Sequence, residues 1–415
     1  MKAWNRPEIP TLPGLSSAPC LYDTATRGLV EAHTGDTARI YVCGITPYDA
    51  THMGHAATYL AYDTLQRVWL DAGLEVHFAQ NVTDIDDPLL ERAAATGVDW
   101  QDLAASQVDL FRRDMEALSI LPPEDYVAVT EVLDEIAEAV RRLLAAGLAY
   151  EVPTPESSAG SDIYFDCALA STAGLWTLGE ISNLDQATME ELFRERGGDP
   201  DREGKRDVLD PLLWRAARDG EPSWASSVGP GRPGWHIECS VIALMELGRD
   251  FTVQGGGSDL VFPHHEMSAG HAAALSGHPL AKVYSHTGMV AYQGEKMSKS
   301  LGNLVLVSKL VAAGVDARAI RLTLLAHHYR SDWEWTDGAL ETAQDRLATW
   351  GSRLSGDAGT GTLPALDVLA NVRESLRVDL DTPQALALID SAVAVGVDDP
   401  ALLRRTISAL LGVAL

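Results

Sequence analysis

The sequence has little cysteine, no long apolar run and no apolar leader, and each scarcity excludes a class of protein. The cysteines are scattered, which argues against a disulfide framework and fits a reducing, cytoplasmic setting. No stretch approaches 18 uninterrupted apolar residues, so we expect no membrane span, and the opening MKAWNRPEIP has no apolar core of a secretory signal. The four cysteines of the 415-residue chain are Cys20, Cys43, Cys167 and Cys239.

Positive charge is also scarce. Lysine and arginine together number 32 against 59 aspartates and glutamates, so the formal net charge is −27. This balance repels phosphate backbones unless a local basic patch offsets it. Only six of the basic residues are lysines, so a pair that stands close together singles out its segment.

Hydrophobic periodicity predicts an α/β fold. Residues 38–42 (ARIYV) and 75–82 (EVHFAQNV) read as buried strands around a helical pattern over 58–71. Strand, helix and strand at this spacing indicate a right-handed βαβ unit in a parallel sheet. We expect residues 1–36 to be an irregular lead-in.

The rest of the chain is expected to divide into an insertion, a return to the sheet and a helical end. An insertion covers about 121–230; within it 153–204 is rich in Ser, Pro, Gly and acids, after a clear amphipathic helix at 130–146. The chain thus divides into a catalytic domain of residues 1–310 and a helical domain of 311–415. Strands are predicted at 251–254 and 282–284, and helices from 264 and at 317–328, 337–354, 366–376, 383–395 and 400–415.

Two short motifs suggest phosphate chemistry. His52-Met53-Gly54-His55 follows the first strand and opens a helix, where Gly allows close backbone approach and the histidines can donate to phosphate oxygens. Residues 296–300, KMSKS, place two of the six lysines within four residues, which suits the charge of a triphosphate. Each motif alone also fits ordinary polar residues, a metal pair or a solvated loop.

Together the two motifs resemble the paired signatures of class I aminoacyl-tRNA synthetases. That resemblance implies a doubly wound, Rossmann-like parallel sheet with an ATP site, carrying an insertion and a C-terminal helical bundle. Three further segments, GWHIEC at 234–239, GGGSDL at 255–260 and FPHHE at 262–266, closely resemble the cysteinyl-tRNA synthetase catalytic domain over roughly residues 36–310.

In that family an early cysteine, a second cysteine and a histidine bind zinc, and the matching positions here are Cys43, Cys239 and His264. Cysteine and histidine are preferred zinc ligands, and a catalytic zinc keeps one position open. An open metal site can take a substrate thiolate that serine cannot supply, so the implied substrate is L-cysteine. Cys20 and Cys167 match no motif.

The resemblance also implies an adenylate site and roles for the two signatures. His52 and His55 would contact ATP phosphates, and Lys296 and above all Lys299 would clamp pyrophosphate, with Mg²⁺ accompanying ATP. The implied adenylate contacts are Cys43, Gly44, Ile45, Thr46, Thr58, Asn81, Val82, Thr83, Trp235, Gly257, Ser258, Asp259 and Val290; simple packing is an equal alternative for Thr58 and Val290.

Several features depart from the synthetase pattern. Ser268 stands where the synthetases usually carry a further glutamate ligand, which leaves Glu266, water or substrate to complete the zinc sphere. CGITPYD replaces a synthetase-like CGPTVYD. Residues 311–415 contain no lysine and nine arginines against fourteen acids, whereas a tRNA-binding module should show a basic face.

Residues 195–200, ERGGDP, together with ITPYDATHMGHA at 45–56, resemble the actinobacterial ligases that join cysteine to glucosaminyl-inositol in mycothiol biosynthesis. That resemblance spans essentially the whole chain. It implies L-cysteine, ATP and glucosaminyl-inositol as partners, one zinc per chain, no tRNA and a cytoplasmic monomer. Two alternatives stay open: a compact cysteinyl-tRNA synthetase, and a catalytically degenerate relative that binds cysteine or nucleotide as a regulator.

Overall fold

The computed structural model describes residues 1–33, 35–48, 51–158, 160–174, 176–297, 302–356, 359 and 361–415. The strands in this part of the chain are β1 (Cys20–Asp23), β2 (Gly28–Glu31), β3 (Thr37–Val42), β4 (Glu75–Val82), β5 (Asp125–Ala128), β6 (Ala149–Val152), β7 (Asp162–Phe165), β8 (Leu212–Ala216), β9 (Gly231–Pro233), β10 (Phe251–Gly257), β11 (Ala281–Thr287), β12 (Val290–Tyr292), β13 (Glu295–Lys296) and β14 (Trp333–Glu334).

The helices occupy the connections and the C-terminal quarter of the chain. They are α1 (Met53–Asp71), α2 (Asp87–Thr96), α3 (Trp100–Ala117), α4 (Leu133–Ala145), α5 (Cys167–Thr172), α6 (Gln186–Glu195), α7 (Trp235–Leu247), α8 (Glu266–Ser276), α9 (Val307–Ala312), α10 (Ala317–Leu325), α11 (Asp337–Arg353), α12 (Ala365–Arg377), α13 (Thr382–Val395) and α14 (Pro400–Leu411). None of these helices is long and apolar enough to cross a membrane.

The central sheet has five parallel strands in the order β11-β10-β3-β4-β5. The chain builds β3, β4 and β5 outward to one side, then returns to add β10 and β11 on the other side. The strand order therefore reverses between β3 and β10, and ligands of such sheets bind in the crevice at the carboxyl ends of the strands beside that point. The doubly wound parallel sheet predicted from the sequence is confirmed.

Strand β3 is buried on both faces, which explains its almost unbroken apolar sequence. Ile40 and Val42 lie in a core with α1 and α3, whereas Tyr41 and Cys43 belong to a second core with α7 and α8. Successive side chains of a strand point to opposite faces, so this alternation decides which helices each residue contacts. Cys43 consequently faces the layer that contains α7.

Helix α1 begins five residues before the predicted start at residue 58. His52 is its N-cap, and its Nδ1 accepts hydrogen bonds from the backbone N–H groups of Gly54 and His55. Histidine is not among the usual N-cap residues, so position 52 carries no recognisable signal for a helix start. The capping places the HxGH motif in the first turn of the helix.

Two segments contain antiparallel strands that no sequence pattern predicted. The lead-in contains the hairpin β1–β2, and the insertion contains a sheet in the order β6-β7-β8-β9. The prediction that residues 1–36 are irregular was wrong, because β1 and β2 have only four residues each and are too short to show a clear alternation. The exact domain boundaries remain a prediction.

The C-terminal helices pack on α1 and share its hydrophobic core. A fully buried ion cluster lies at this contact: the carboxylate of Asp63 on α1 accepts from Arg67 on the same helix and from Arg321 on α10. Burial alone would raise the pKa of Asp63, but the two guanidinium groups hold it below its usual value. Both arginines also donate to backbone oxygens near the end of α14: Arg67 to Ser408 and Ala409, and Arg321 to Leu411.

Candidate active site

The structure brings Cys43, Cys239 and His264 together at the carboxyl edge of the sheet. Cys43 directly follows β3, Cys239 lies in the second turn of α7, and His264 lies just before α8. Their ligand atoms all lie within 4.8 Å of one another, and all three residues are buried. We call this group the metal corner.

The chemistry of the metal corner fits a soft divalent cation. His264 Nε2 is buried and has no hydrogen-bond partner among the described residues. Burial keeps the pKa of His264 well below its usual value, so the ring is neutral, as a ligand must be. Burial, together with the neighbouring Cys43 sulfur, raises the pKa of the Cys239 thiol. A bound cation reverses that logic, because it stabilises the thiolates directly.

Glu266, the candidate for a fourth protein ligand, is occupied elsewhere. Its carboxylate accepts from the Trp176 indole and from the backbone N–H groups of Ile181 and Ser182, at 2.8–3.2 Å. Ser268, at the place of the synthetase glutamate, donates its hydroxyl to the His236 carbonyl at 3.2 Å. Glu266 thus fixes the insertion to α8, and the corner has three ligands among the described residues.

Polar residues that the sequence did not single out surround the Cys43 sulfur. Gln254 Nε2 donates to Cys43 Sγ at 3.5 Å, and His265 Nε2 lies 3.3 Å from the same sulfur. His265 Nδ1 lies 2.7 Å from His286 Nε2, and His286 Nδ1 lies 2.7 Å from Thr24 Oγ1. The second histidine of HHE was the only sequence signal for this chain of contacts.

On the opposite side, His264 is held by its own neighbours. Its Nδ1 lies 3.0 Å from His236 Nδ1, which leaves Nε2 for the corner. The Trp235 ring stacks on the His264 ring with centroids 4.3 Å apart and planes inclined by 27°. Trp235 is half-buried and lies beside the corner, and its contact with adenylate stays a prediction.

The turn after β3 is locked onto the end of β4. The Gly44 N–H donates to Asn81 Oδ1 at 2.8 Å, and a Cβ at position 44 would overlap the Asn81 carbonyl. Asn81 Nδ2 donates to Thr83 Oγ1, and the Thr83 N–H donates to the Ile45 carbonyl. The predicted contacts at 43–46 and 81–83 therefore form one connected surface; Val82 has a fully buried side chain.

The end of β10 gathers a second predicted group. A Cβ at Gly257 would meet Asp259 Oδ1, and Thr58 Oγ1 lies 2.8 Å from Thr287 Oγ1. Ser258 begins the turn between Gly257 and Asp259. The sequence did not single out Thr287, because only the fold brings the end of β11 to α1. The Val290 side chain is buried in the main core, so any contact with adenylate would involve its backbone.

Arg196 of the ERGGDP segment supports this turn. Its guanidinium donates to the backbone carbonyls of Asp259 and Phe262 at 2.6 and 2.5 Å. The turn from Asp259 to Phe262 leads directly into His264. One side chain of the insertion thus fixes a segment that joins the predicted adenylate contacts to the metal corner.

The HxGH motif pairs with residues 305–307. His52 forms a β-bridge with Leu306, the Met53 N–H donates to the Val305 carbonyl, and Val307 N–H donates to the Thr51 carbonyl. The HxGH motif is thereby paired with the segment that follows KMSKS. The backbone of Lys296 lies in β13, but its side chain and the whole of Lys299 lie outside what the structure describes.

The environment of His55 differs from that of His52. The two rings stack with centroids 3.9 Å apart. Burial lowers the pKa of His55 to about 4, and its Nδ1 has no hydrogen-bond partner within the described part of the chain. A neutral imidazole with an unpartnered nitrogen can bind a polar group of a substrate.

Comparisons with known proteins agree with this geometry. The profile of the family described as tRNA synthetases class I (C) catalytic domain matches residues 29–345. Two solved structures share the fold: methionyl-tRNA synthetase of Mycobacterium tuberculosis with methionyl-adenylate (TM-score 0.63, 18% identity, 90% of this chain and 89% of that chain) and the Agrobacterium radiobacter K84 agnB2 LeuRS with tRNA and LeuAMS (0.64, 12%, 92% and 84%).

Curated relatives match over the full length. A Clavibacter michiganensis subsp. michiganensis protein named L-cysteine:1D-myo-inositol 2-amino-2-deoxy-alpha-D-glucopyranoside ligase is 62% identical over 423 residues, covering 100% of this chain and 99% of that protein. A Streptomyces avermitilis protein of the same name is 56% identical over 424 residues and covers both chains completely. The chain belongs to the class I tRNA synthetase catalytic-domain family and, within it, to the L-cysteine:1D-myo-inositol 2-amino-2-deoxy-α-D-glucopyranoside ligases.

Proposed function

We propose that this protein is an ATP-dependent ligase that joins L-cysteine to the amine of glucosaminyl-inositol through cysteinyl-adenylate. The observation that carries the proposal is the buried metal corner at the switch point of a sheet that also carries HxGH. Full-length identity of 54–62% to curated ligases supports the same reaction and places it in mycothiol biosynthesis.

In the first half-reaction, a carboxylate oxygen of cysteine attacks the α-phosphorus of ATP and the α–β phosphoanhydride bond breaks. The products are cysteinyl-adenylate and pyrophosphate. Catalysis of such a transfer rests on positioning and charge neutralisation. His52 and His55 would contact the phosphates, and Lys296 and Lys299 would bind the leaving pyrophosphate, with Mg²⁺ on ATP.

Cys43, Cys239 and His264 would hold one zinc ion. A zinc ion held there would supply a soft Lewis acid for the thiolate of the substrate. Gln254 and His265 orient the Cys43 sulfur, and His236 and Trp235 orient the His264 ring, so the chain itself fixes where a substrate sulfur can lie. Serine lacks a comparable soft donor, which would let the site select cysteine without an editing step.

In the second half-reaction, the neutral amine nitrogen attacks the activated carbonyl carbon. The bond between that carbon and the phosphate oxygen breaks, an amide forms, AMP leaves, and the amine loses a proton. The connected surface from Gly44 to Thr83 borders the metal corner, so it would hold the cysteinyl group while the acceptor amine attacks.

The second candidate is a compact cysteinyl-tRNA synthetase. The acidic balance of residues 311–415 argues against it, since nine arginines face fourteen acids there with no lysine. We therefore propose that no tRNA takes part. We also propose a monomer that works in the cytoplasm, in keeping with four cysteines that are all free.

One assay separates these candidates. Purified protein receives ATP, radiolabelled cysteine and either glucosaminyl-inositol or tRNA. We expect label in the pseudodisaccharide and none in tRNA. Label in tRNA alone would contradict the ligase proposal, and failure of cysteine-dependent ATP–pyrophosphate exchange would contradict both enzyme candidates and favour a regulator.

A further inference from the structure

We infer that a cavity between α3 and the loop from β8 to β9 binds the acceptor, a polyhydroxylated amine of pseudodisaccharide size. The inference rests on the proposed function and adds the location of its second substrate. The cavity has a volume of about 310 Å³, within the range of about 300–1,000 Å³ that is usual for small-molecule sites. We call it the acceptor cavity. Its lining includes Asp84, Trp100, Gln101, Arg112, Thr130 and Trp224.

The acceptor cavity opens at the same sheet edge as the metal corner. Asp84 is the residue after Thr83, whose N–H donates to the Ile45 carbonyl, two residues from Cys43. Thr130 follows β5, the next strand beyond β4. Neighbouring strands lie about 4.8 Å apart, so the ends of β3 and β5 are separated by about 10 Å. A pseudodisaccharide can span that distance and present its amine toward the adenylate.

Two tryptophans form the apolar part of the acceptor cavity. The Trp100 and Trp224 rings meet edge to face, with centroids 6.2 Å apart and planes at 85°. Trp100 is fixed as the first residue of α3, and Trp224 by reciprocal backbone hydrogen bonds with Gly231. Both are half-buried. Perpendicular aromatic faces suit the apolar C–H faces of two ring-shaped groups joined at an angle.

The polar part of the cavity suits hydroxyl groups and an amine. The Asp84 carboxylate is held by the Thr130 N–H at 3.1 Å and its hydroxyl at 2.6 Å, so its orientation is set before any ligand binds. Gln101 offers an exposed amide that can donate and accept. Arg112 is paired with Asp109 through one terminal nitrogen, whereas its buried Nε has no partner among the described residues.

The cationic groups at this cavity are already neutralised. The Met1 amine, which also lines it, donates to the Tyr126 carbonyl and to Glu131. With Arg112 paired to Asp109, Asp84 is the charged group left to face an incoming ammonium. A phosphate-rich tRNA terminus would meet the same carboxylate unfavourably, which favours the small amine as the occupant.

The test compares KM for glucosaminyl-inositol in amide formation with KM for ATP and cysteine in pyrophosphate exchange. We expect Trp224→Ala and Gln101→Ala to raise the acceptor KM, the former by about tenfold, while the other two KM values move less than twofold. Gln107→Ala is the matched control, because Gln107 lies on α3 but does not line the cavity.

The outcomes distinguish the two proposals. If the unchanged protein forms no amide, the proposed function fails and the acceptor cavity with it. If the unchanged protein forms amide but both variants keep an acceptor KM within twofold, the cavity inference alone is overturned. Gln101 is exposed on a helix surface, so its variant remains informative should Trp224→Ala fold poorly. Transfer of label to tRNA in place of amide would also overturn the cavity inference.

Discussion

The metal corner and the acceptor cavity lie at one sheet edge but are built in opposite ways. Cys43, Cys239 and His264 are 7%, 2% and 1% exposed, and buried neighbours contact the Cys43 sulfur and the His264 ring. Trp100 and Trp224 are only half-buried, and the cavity between them is open to solvent. If both proposals hold, selection of cysteine would depend on preorganised ligands, whereas acceptor binding would depend on an accessible surface that the substrate completes.

The largest effect should come from removing a metal ligand. We expect Cys239→Ala to abolish bound zinc and to lower cysteine-dependent pyrophosphate exchange by at least about 10³-fold, because the metal contributes several kcal/mol. Elemental analysis and the exchange assay measure both. Cys167→Ala is the control, since Cys167 is equally buried but lies outside the metal corner. Stoichiometric zinc in the Cys239 variant would refute the ligand set.

A change to Gln254, which donates to the Cys43 sulfur, should affect the metal corner and leave the acceptor cavity unaffected. Gln254→Leu removes the donor to Cys43 Sγ and replaces it with an apolar side chain of similar size. Loss of a residue that hydrogen-bonds a metal ligand typically weakens metal binding by about 10–100-fold, and we expect that range for zinc in a chelator competition. The KM for the acceptor should not change along with the zinc affinity. An unaltered zinc affinity would show that the Gln254 contact does not orient the sulfur.

Arg196 tests the link between the insertion and the catalytic turn. Arg196→Met keeps the side-chain length but loses both donors to Asp259 and Phe262. Each carbonyl would lose a charge-assisted hydrogen bond, and we expect about tenfold lower pyrophosphate exchange, with KM for ATP as the main parameter affected. Retained exchange with a lower melting temperature would assign Arg196 a purely structural role.

The smallest effect should come from Cys20. This residue lies in β1, away from the metal corner, and is only partly buried. We expect Cys20→Ser to change zinc content and exchange by less than twofold, because surface substitutions away from functional contacts are nearly neutral. A loss of zinc in this variant would mean that a fourth ligand comes from the N-terminal hairpin.

Much of the fold could be predicted where one local signal dominated. The bounds of β4 match the prediction at both ends, and β3 differs by one residue, because both strands are β-rich and bounded by turn residues. The helices of the C-terminal quarter also match the prediction, since apolar residues recur at helical spacing in each of them. Cys43, Cys239 and His264 could be named together only through the family resemblance, because positions so far apart in sequence carry no spacing signal.

The remaining site residues depend on tertiary contacts that no local pattern encodes. Thr287 reaches Thr58 only because β11 lies beside β10, and His286 reaches His265 for the same reason. The role of Arg196 required knowing that the insertion folds back over the turn after β10. The capping role of His52 was missed because histidine is a rare N-cap, although the motif itself was identified correctly.

The buried Asp63 cluster has a consequence for how the molecule opens. Arg67 and Arg321 share the Asp63 carboxylate and also donate to backbone oxygens of Ser408, Ala409 and Leu411. Separating α10 or α14 from α1 would remove partners from buried charges, which is strongly unfavourable. We therefore expect α1, α10 and α14 to unfold as one cooperative unit, so the helix that carries HxGH in its first turn would lose its support only when α10 and α14 unfold with it.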